Sequence, residues 1–201
     1  MVCAGSLALN LRRVVRPEIA FREFKSKARI SDTTIGGKMS ITVGDYLDVQ
    51  MKLSELGLPN AIGLALLPTN LASARSAGDL LQASEAATVR SLFRSAGLGC
   101  TELPDRAHGI RYIQNNAADW VGPTVFVAGS LWSQNPLAIS VALNVVSNYL
   151  TDLFKGLKHP TAKLDFIVEK TKEGTYKHLA YEGDIEGIIA LEKVIRGLAN
   201  E

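Results

Sequence analysis

The stretch CTELPDRAH places Cys100, Asp105 and His108 within nine residues, and a thiol beside an imidazole is the pairing that makes a nucleophile. Catalytic pairs are normally assembled by the fold from separated positions, and a cysteine after Gly-Leu-Gly suits a small apolar residue at a helix end. Cys100 is therefore expected to be structural. The stretch AGSLWSQNP is the stronger candidate, because an apolar run there delivers polar residues to the start of a helix. Helix N-termini present unpaired amides and favour anions, so Ser130, Ser133, Gln134 and Asn135 could receive a phosphate or carboxylate, while a small-enzyme or ligand-binding site there would use Ser130 and Asn135 with Asp119 or His108. The favoured role is plainer: Asn135 before Pro136 has the form of a cap followed by a first-turn proline. Trp120 and Trp132 flank the same run and are expected as core edges or interface anchors, or else as pocket walls.

Other chemistries lack their signatures. There is no phosphate loop of the Gly-x-x-x-x-Gly-Lys-Ser/Thr type, no Gly-x-Ser-x-Gly elbow, no His-Glu-x-x-His and no calcium loop. The three histidines and two cysteines have no zinc-ligand spacing, so neither a metal nor a cofactor is expected.

The elements that would position these residues follow from hydrophobic periodicity. Thr42 to Gly57 reads as a helix, with Thr42 and Asp45 as an N-terminal capping signal and Gly57 and Pro59 as its stop. AIGLALLP and TVFVAGS are short, continuously apolar runs expected to be neighbouring buried strands. SEAATVRSLFRSAGLG predicts a helix capped by Ser84 and ended by Gly97, with a short strand at 110–113. NPLAISVALNVVSNYLTDLFKGL predicts the longest helix, with Asn144, Ser147, Asn148, Thr151, Asp152 and Lys155 as its one polar stripe. Asn144 and Asn148, one turn apart, face either solvent or a partner helix. AKLDFIVEKTKEGTYKHLAYEGD alternates as a hairpin, with Leu164, Phe166 and Val168 laid on that helix and a mixed-sign outer face. Asp184 then caps a closing helix carrying Ile185, Ile188, Leu191, Ile195 and Leu198. The fold class expected is α/β or α+β, a small mixed sheet packed by helices and ending in helix, hairpin, helix.

The 201 residues, 47% hydrophobic and 21% charged, suit a folded chain with a sizeable core. The net charge of +2 is uneven, because residues 1–38 carry eight Lys or Arg against three Asp or Glu. This basic arm is expected to be a disordered extension or sequence upstream of a natural start at Met39; residues 39–201 form one domain with halves 39–122 and 123–201. Nucleic-acid binding is expected only through the arm. No apolar run is long enough to span a membrane, and Cys3 and Cys100 offer no disulfide framework, so a reducing, cytoplasmic setting is expected.

From about Pro123 onward, the apolar helix, the hairpin KLDFIVEKTKEGTYKHLAYEGD and the closing helix IEGIIALEKVIRGL resemble the small effector-associated accessory components of bacterial conflict and antiviral-defence systems. That resemblance implies a non-catalytic component acting through a protein partner or as a homo-oligomer, and it assigns no functional residue. The alternative expectation is a small enzyme or ligand-binding domain with a polar site at 128–136.

Overall fold

The computed structural model describes residues 31–34, 39–103, 110–113, 120–158, 160–170 and 174–200. Along the chain these form β1 (Ser31–Thr34), β2 (Met39–Tyr46), α1 (Val49–Glu55), β3 (Leu64–Leu67), β4 (Leu81–Ala83), α2 (Ala86–Ser95), β5 (Cys100–Glu102), β6 (Arg111–Ile113) and β7 (Trp120–Val127). Then follow α3 (Leu131–Gln134), α4 (Ala138–Leu153), β8 (Ala162–Glu169), β9 (Tyr176–Gly183) and α5 (Glu186–Asn200). Seven strands make one mixed sheet in the order β1-β2-β9-β8-β7-β3-β5, and β4 pairs with β6 in a small second sheet. The expected mixed sheet packed by helices is present, and strands from both halves of the chain share it. No helix among the described residues is long and apolar enough to cross a membrane.

The hairpin of β8 and β9 lies at the sheet's centre. Its alternation puts Leu164, Phe166, Val168, Leu179 and Tyr181 on one face, where they join Val125, Val127, Leu64 and Leu66 beneath α2, α4 and α5. Ile139, Leu143, Val146 and Leu150 of α4 and Ile188, Leu191 and Ile195 of α5 complete this larger core. Asp184 caps α5 as expected, accepting the Gly187 N–H at 3.0 Å. The opposite face carries a smaller core, in which Ala65, Leu67, Phe126, Ile167 and Tyr176 pack under α1 and the segment that follows it. The expected neighbours β3 and β7 pair, antiparallel, with Ala65 opposite Phe126.

Three local expectations are corrected. Residues 42–57 are a strand followed by a helix: Ile41 and Val43 alternate in register with Tyr181 and Leu179, and only Val49, Leu53 and Leu56 belong to a helical stripe. Asp48, not Thr42, is the cap, accepting the Met51 N–H at 2.9 Å. Helix α2 starts after Glu85, because the Ser84 N–H is drawn into the second sheet by the Ile113 carbonyl at 3.0 Å. Strand β7 begins at Trp120, earlier than the apolar run suggests, and its register shifts between Val121 and Thr124. Gly122 is required there, since a Cβ would sit 2.6 Å from the Trp120 ring and 2.8 Å from Leu164.

Candidate functional site

Strands β7 and β8 are parallel, so they finish at the same edge of the molecule, and β7 there turns through Ala128, Gly129 and Ser130 into α3. Glu169 ends β8 on the face away from the long helices. Its Oε2 accepts the Gly129 N–H at 2.8 Å and its Oε1 accepts the Tyr176 hydroxyl at 3.5 Å, so its carboxylate is held from two sides.

The facing wall comes from α1. Gln50 spends both ends of its amide on one residue, Nε2 donating to the Ala61 carbonyl at 2.7 Å and Oε1 accepting the Ala61 N–H at 3.0 Å. Gly63 then takes a left-handed turn, φ 60°, that aims its carbonyl at the Ala128 N–H, 2.9 Å away. These bonds flank Ile62, which is left 72% exposed. Between the walls lies an open depression of about 460 Å³ lined by Gln50, Ala61, Ile62, Ala128, Gly129, Ser130, Glu169, Lys170 and Gly174. That volume falls among those of small-ligand pockets, although this one is less enclosed.

Among the described lining residues, Glu169 and Lys170 carry opposite charges. Burial, and then the fields of Glu169 and Asp48, push the Tyr176 hydroxyl up to about 12. The charge of Lys170 also acts on Asp45, whose carboxyl is lowered first by its hydrogen bond with Lys177 and then by that lysine's charge.

Of the described residues expected to bind a ligand, Ser130 lines the depression. Gln134 and Asn135 are exposed beyond it; the Ser133 side chain and Asp119 lie outside the described residues. Asn135 does not cap the long helix. It closes α3, its N–H donating to the Leu131 carbonyl at 2.8 Å, and α4 begins after Leu137 with no side-chain cap. Pro136 biases the residue before it towards extended backbone, and Asn135 sits there at φ −149°, ψ 82°. The Gly129 amide, one residue before Ser130, is occupied by the protein's own Glu169 carboxylate.

The remaining candidates lie elsewhere. Trp120 is buried against Tyr149 with ring centroids 6.5 Å apart, and Trp132 carries the Arg196 guanidinium 5.4 Å above its ring. Asn144 and Asn148 are exposed on α4. Cys100 packs against the larger core, where burial pushes its thiol up to about 12 despite the opposing charge of Arg90, so it is a poor nucleophile. Asp105 and His108 lie outside the described residues. Among the described residues no three His, Cys, Asp or Glu side chains come together as metal ligands.

Two clusters escaped sequence reasoning. The buried Glu102 meets Arg90 Nη1 at 3.0 Å and the Tyr112 hydroxyl at 2.9 Å, tying α2 and β6 to the sheet's edge. His178 Nε2 stands 2.8 Å from Asp165 Oδ1, with the Tyr46 ring 5.7 Å from the imidazole. Hairpin alternation, which assigns Asp165 and His178 to the same face, was the signal for the second cluster; the first had none. No family model, curated protein or solved structure matches the chain.

Proposed function

We propose that the protein is a non-catalytic interaction component, an accessory subunit of a bacterial system, with the depression beside Glu169 as its recognition site. The observation carrying this reading is the fixed carboxylate set in a concavity of about 460 Å³ beside an isoleucine left 72% exposed. Interface cores combine such apolar anchors with a few oriented polar groups. The inert setting of Cys100 supports a non-catalytic role, and the sequence α4, β8, β9, α5 retains the layout that resembles defence-system accessory proteins. A second reading, a small-ligand module, draws on the same volume.

A photo-crosslinking residue at Ile62, compared with one at the exposed Lys193 of α5, tests the site in the native host. One discrete protein adduct in stoichiometric yield from position 62, absent from position 193, is the expected result. Indistinguishable adducts from the two positions would remove the depression as the interface.

A further inference from the structure

An anion is poorly served in the depression. The Gly129 N–H that would greet it is taken by Glu169 at 2.8 Å, and both ends of the Gln50 amide are taken by Ala61. The Glu169 carboxylate, by contrast, retains acceptor capacity, since each oxygen can accept more than the single hydrogen bond described. Asp48 adds negative field at the neighbouring Tyr176 hydroxyl. Among the described lining residues the cation is Lys170, whose charge also helps to depress the Asp45 carboxyl. Ile62 supplies an apolar surface beside the carboxylate.

Building on the interaction reading above, we infer that the depression receives a cationic side chain of the partner, an arginine or lysine whose stem packs on Ile62 and whose head pairs with Glu169. The pairing is charge-assisted, and for arginine the planar guanidinium matches a carboxylate whose plane is already fixed. Long cationic side chains bury their stems along apolar surface, which is what Ile62 offers.

The test is an amide NMR titration of the full chain with butylguanidinium, butylamine and butyrate, followed by acetylated tripeptides centred on arginine, lysine or the neutral isostere citrulline. The two cations should produce saturable shifts at Gly129, Ser130 and Gly174, and butyrate should not. The best arginine or lysine tripeptide should bind at least tenfold more tightly than the matching free cation and than its citrulline counterpart. Glu169→Gln, which keeps an oxygen for the Gly129 N–H, should abolish the cation shifts. Ile62→Ser, on the surface, should leave them in place with weaker tripeptide binding.

Shifts with butyrate, or none with either cation, would overturn the inference. Tripeptides no tighter than free butylguanidinium would overturn it in favour of a small amine ligand. Shifts that emerge only after residues 1–30 are deleted would make the basic arm the occupant and overturn the partner reading. A discrete protein adduct at position 62 without cation shifts would leave the interaction proposal standing and sink this inference alone.

Discussion

The two faces of the central sheet are built from the same alternating strands and are finished in opposite ways. On the helix-covered face, Ile41, Val43, Val125, Leu164, Phe166 and Leu179 form one apolar surface closed by α2, α4 and α5. On the other, α1 and its following segment cover Ala65, Leu67, Phe126 and Ile167, while Thr42, Asp165, His178, Ala180 and Glu182 are only partly buried or exposed. Binding requires groups that are fixed yet accessible, and these faces divide those properties. Glu102, on the covered face, is fixed by burial and by Arg90 and serves the core. The depression lies where the smaller core gives out, so Glu169 is fixed by hydrogen bonds and still reaches solvent.

The sharpest way to break this contrast is at Arg90. Glu102 has no side-chain exposure, and removing its cation leaves a buried carboxylate with only the Tyr112 hydroxyl as a described partner. Arg90→Met should destabilise the fold by about 3–5 kcal/mol by urea denaturation. Glu102→Gln keeps an acceptor for Tyr112 and should cost about 1 kcal/mol. Equal losses in the two variants would mean that packing, not charge compensation, holds this edge.

Cys100 tests the same face by reactivity. Its thiol is raised from 9.0 to about 12, which implies roughly 1,000-fold less thiolate than an unperturbed thiol at a given pH below 9. Peptide mapping after iodoacetamide treatment should find Cys100 alkylated slower by about that factor in the folded chain than after unfolding in urea. The raised value also has a stability consequence. The unfolded thiol ionises first, so the unfolded state binds fewer protons and this contribution is lost as pH climbs from about 9 towards 12. Fast alkylation under native conditions would show that the covered face opens readily at β5.

A smaller effect is expected at Gly187, where α5 lies closest to β9. A Cβ there would overlap the Tyr181 hydroxyl, which donates to the Asp184 carbonyl, and would approach Met39 Sδ to 2.7 Å. In an open helix, alanine would be better than glycine by about 1 kcal/mol. Here Gly187→Ala should destabilise by about 1–3 kcal/mol, because Tyr181 is fully buried and has nowhere to retreat. A stabilised variant would mean that the helix layer yields more easily than its packing indicates.

The covered face was also the more legible in the sequence, for a physical reason. Leu164, Phe166 and Val168 repeat at two residues, and Ile188, Leu191, Ile195 and Leu198 at three and four, so each element announces the surface it buries. The stretch 42–57 was misread because a strand and a helix abut there with two residues between them, and their patterns merge in any one window. Strands β4 and β5 have three residues each, too few to display a period. The depression was hardest to read. It draws on four separate stretches of chain, its key hydrogen bond joins Gly129 to Glu169 across 40 residues, and Glu169 reads simply as one charge on a mixed-sign hairpin. The adjoining Gly129 amide is claimed by that distant carboxylate, which no local pattern around Ser130 announces.

The smallest effect is expected on the open face, at the pair formed by Asp165 and His178. Their separation of 2.8 Å is shorter than the 3.0 Å between Arg90 and Glu102, so a count of contacts would rank it at least as high. The surroundings reverse that order. Both side chains are about a quarter exposed, so solvent screens the attraction, and water can satisfy whichever partner is left alone. Asp165→Asn should therefore cost about 0–1 kcal/mol, several-fold less than Arg90→Met by the same urea titration. A loss of similar size in the two variants would mean that the second face is closed in solution by something besides α1, and the contrast between a covered face and an open one would fail with it.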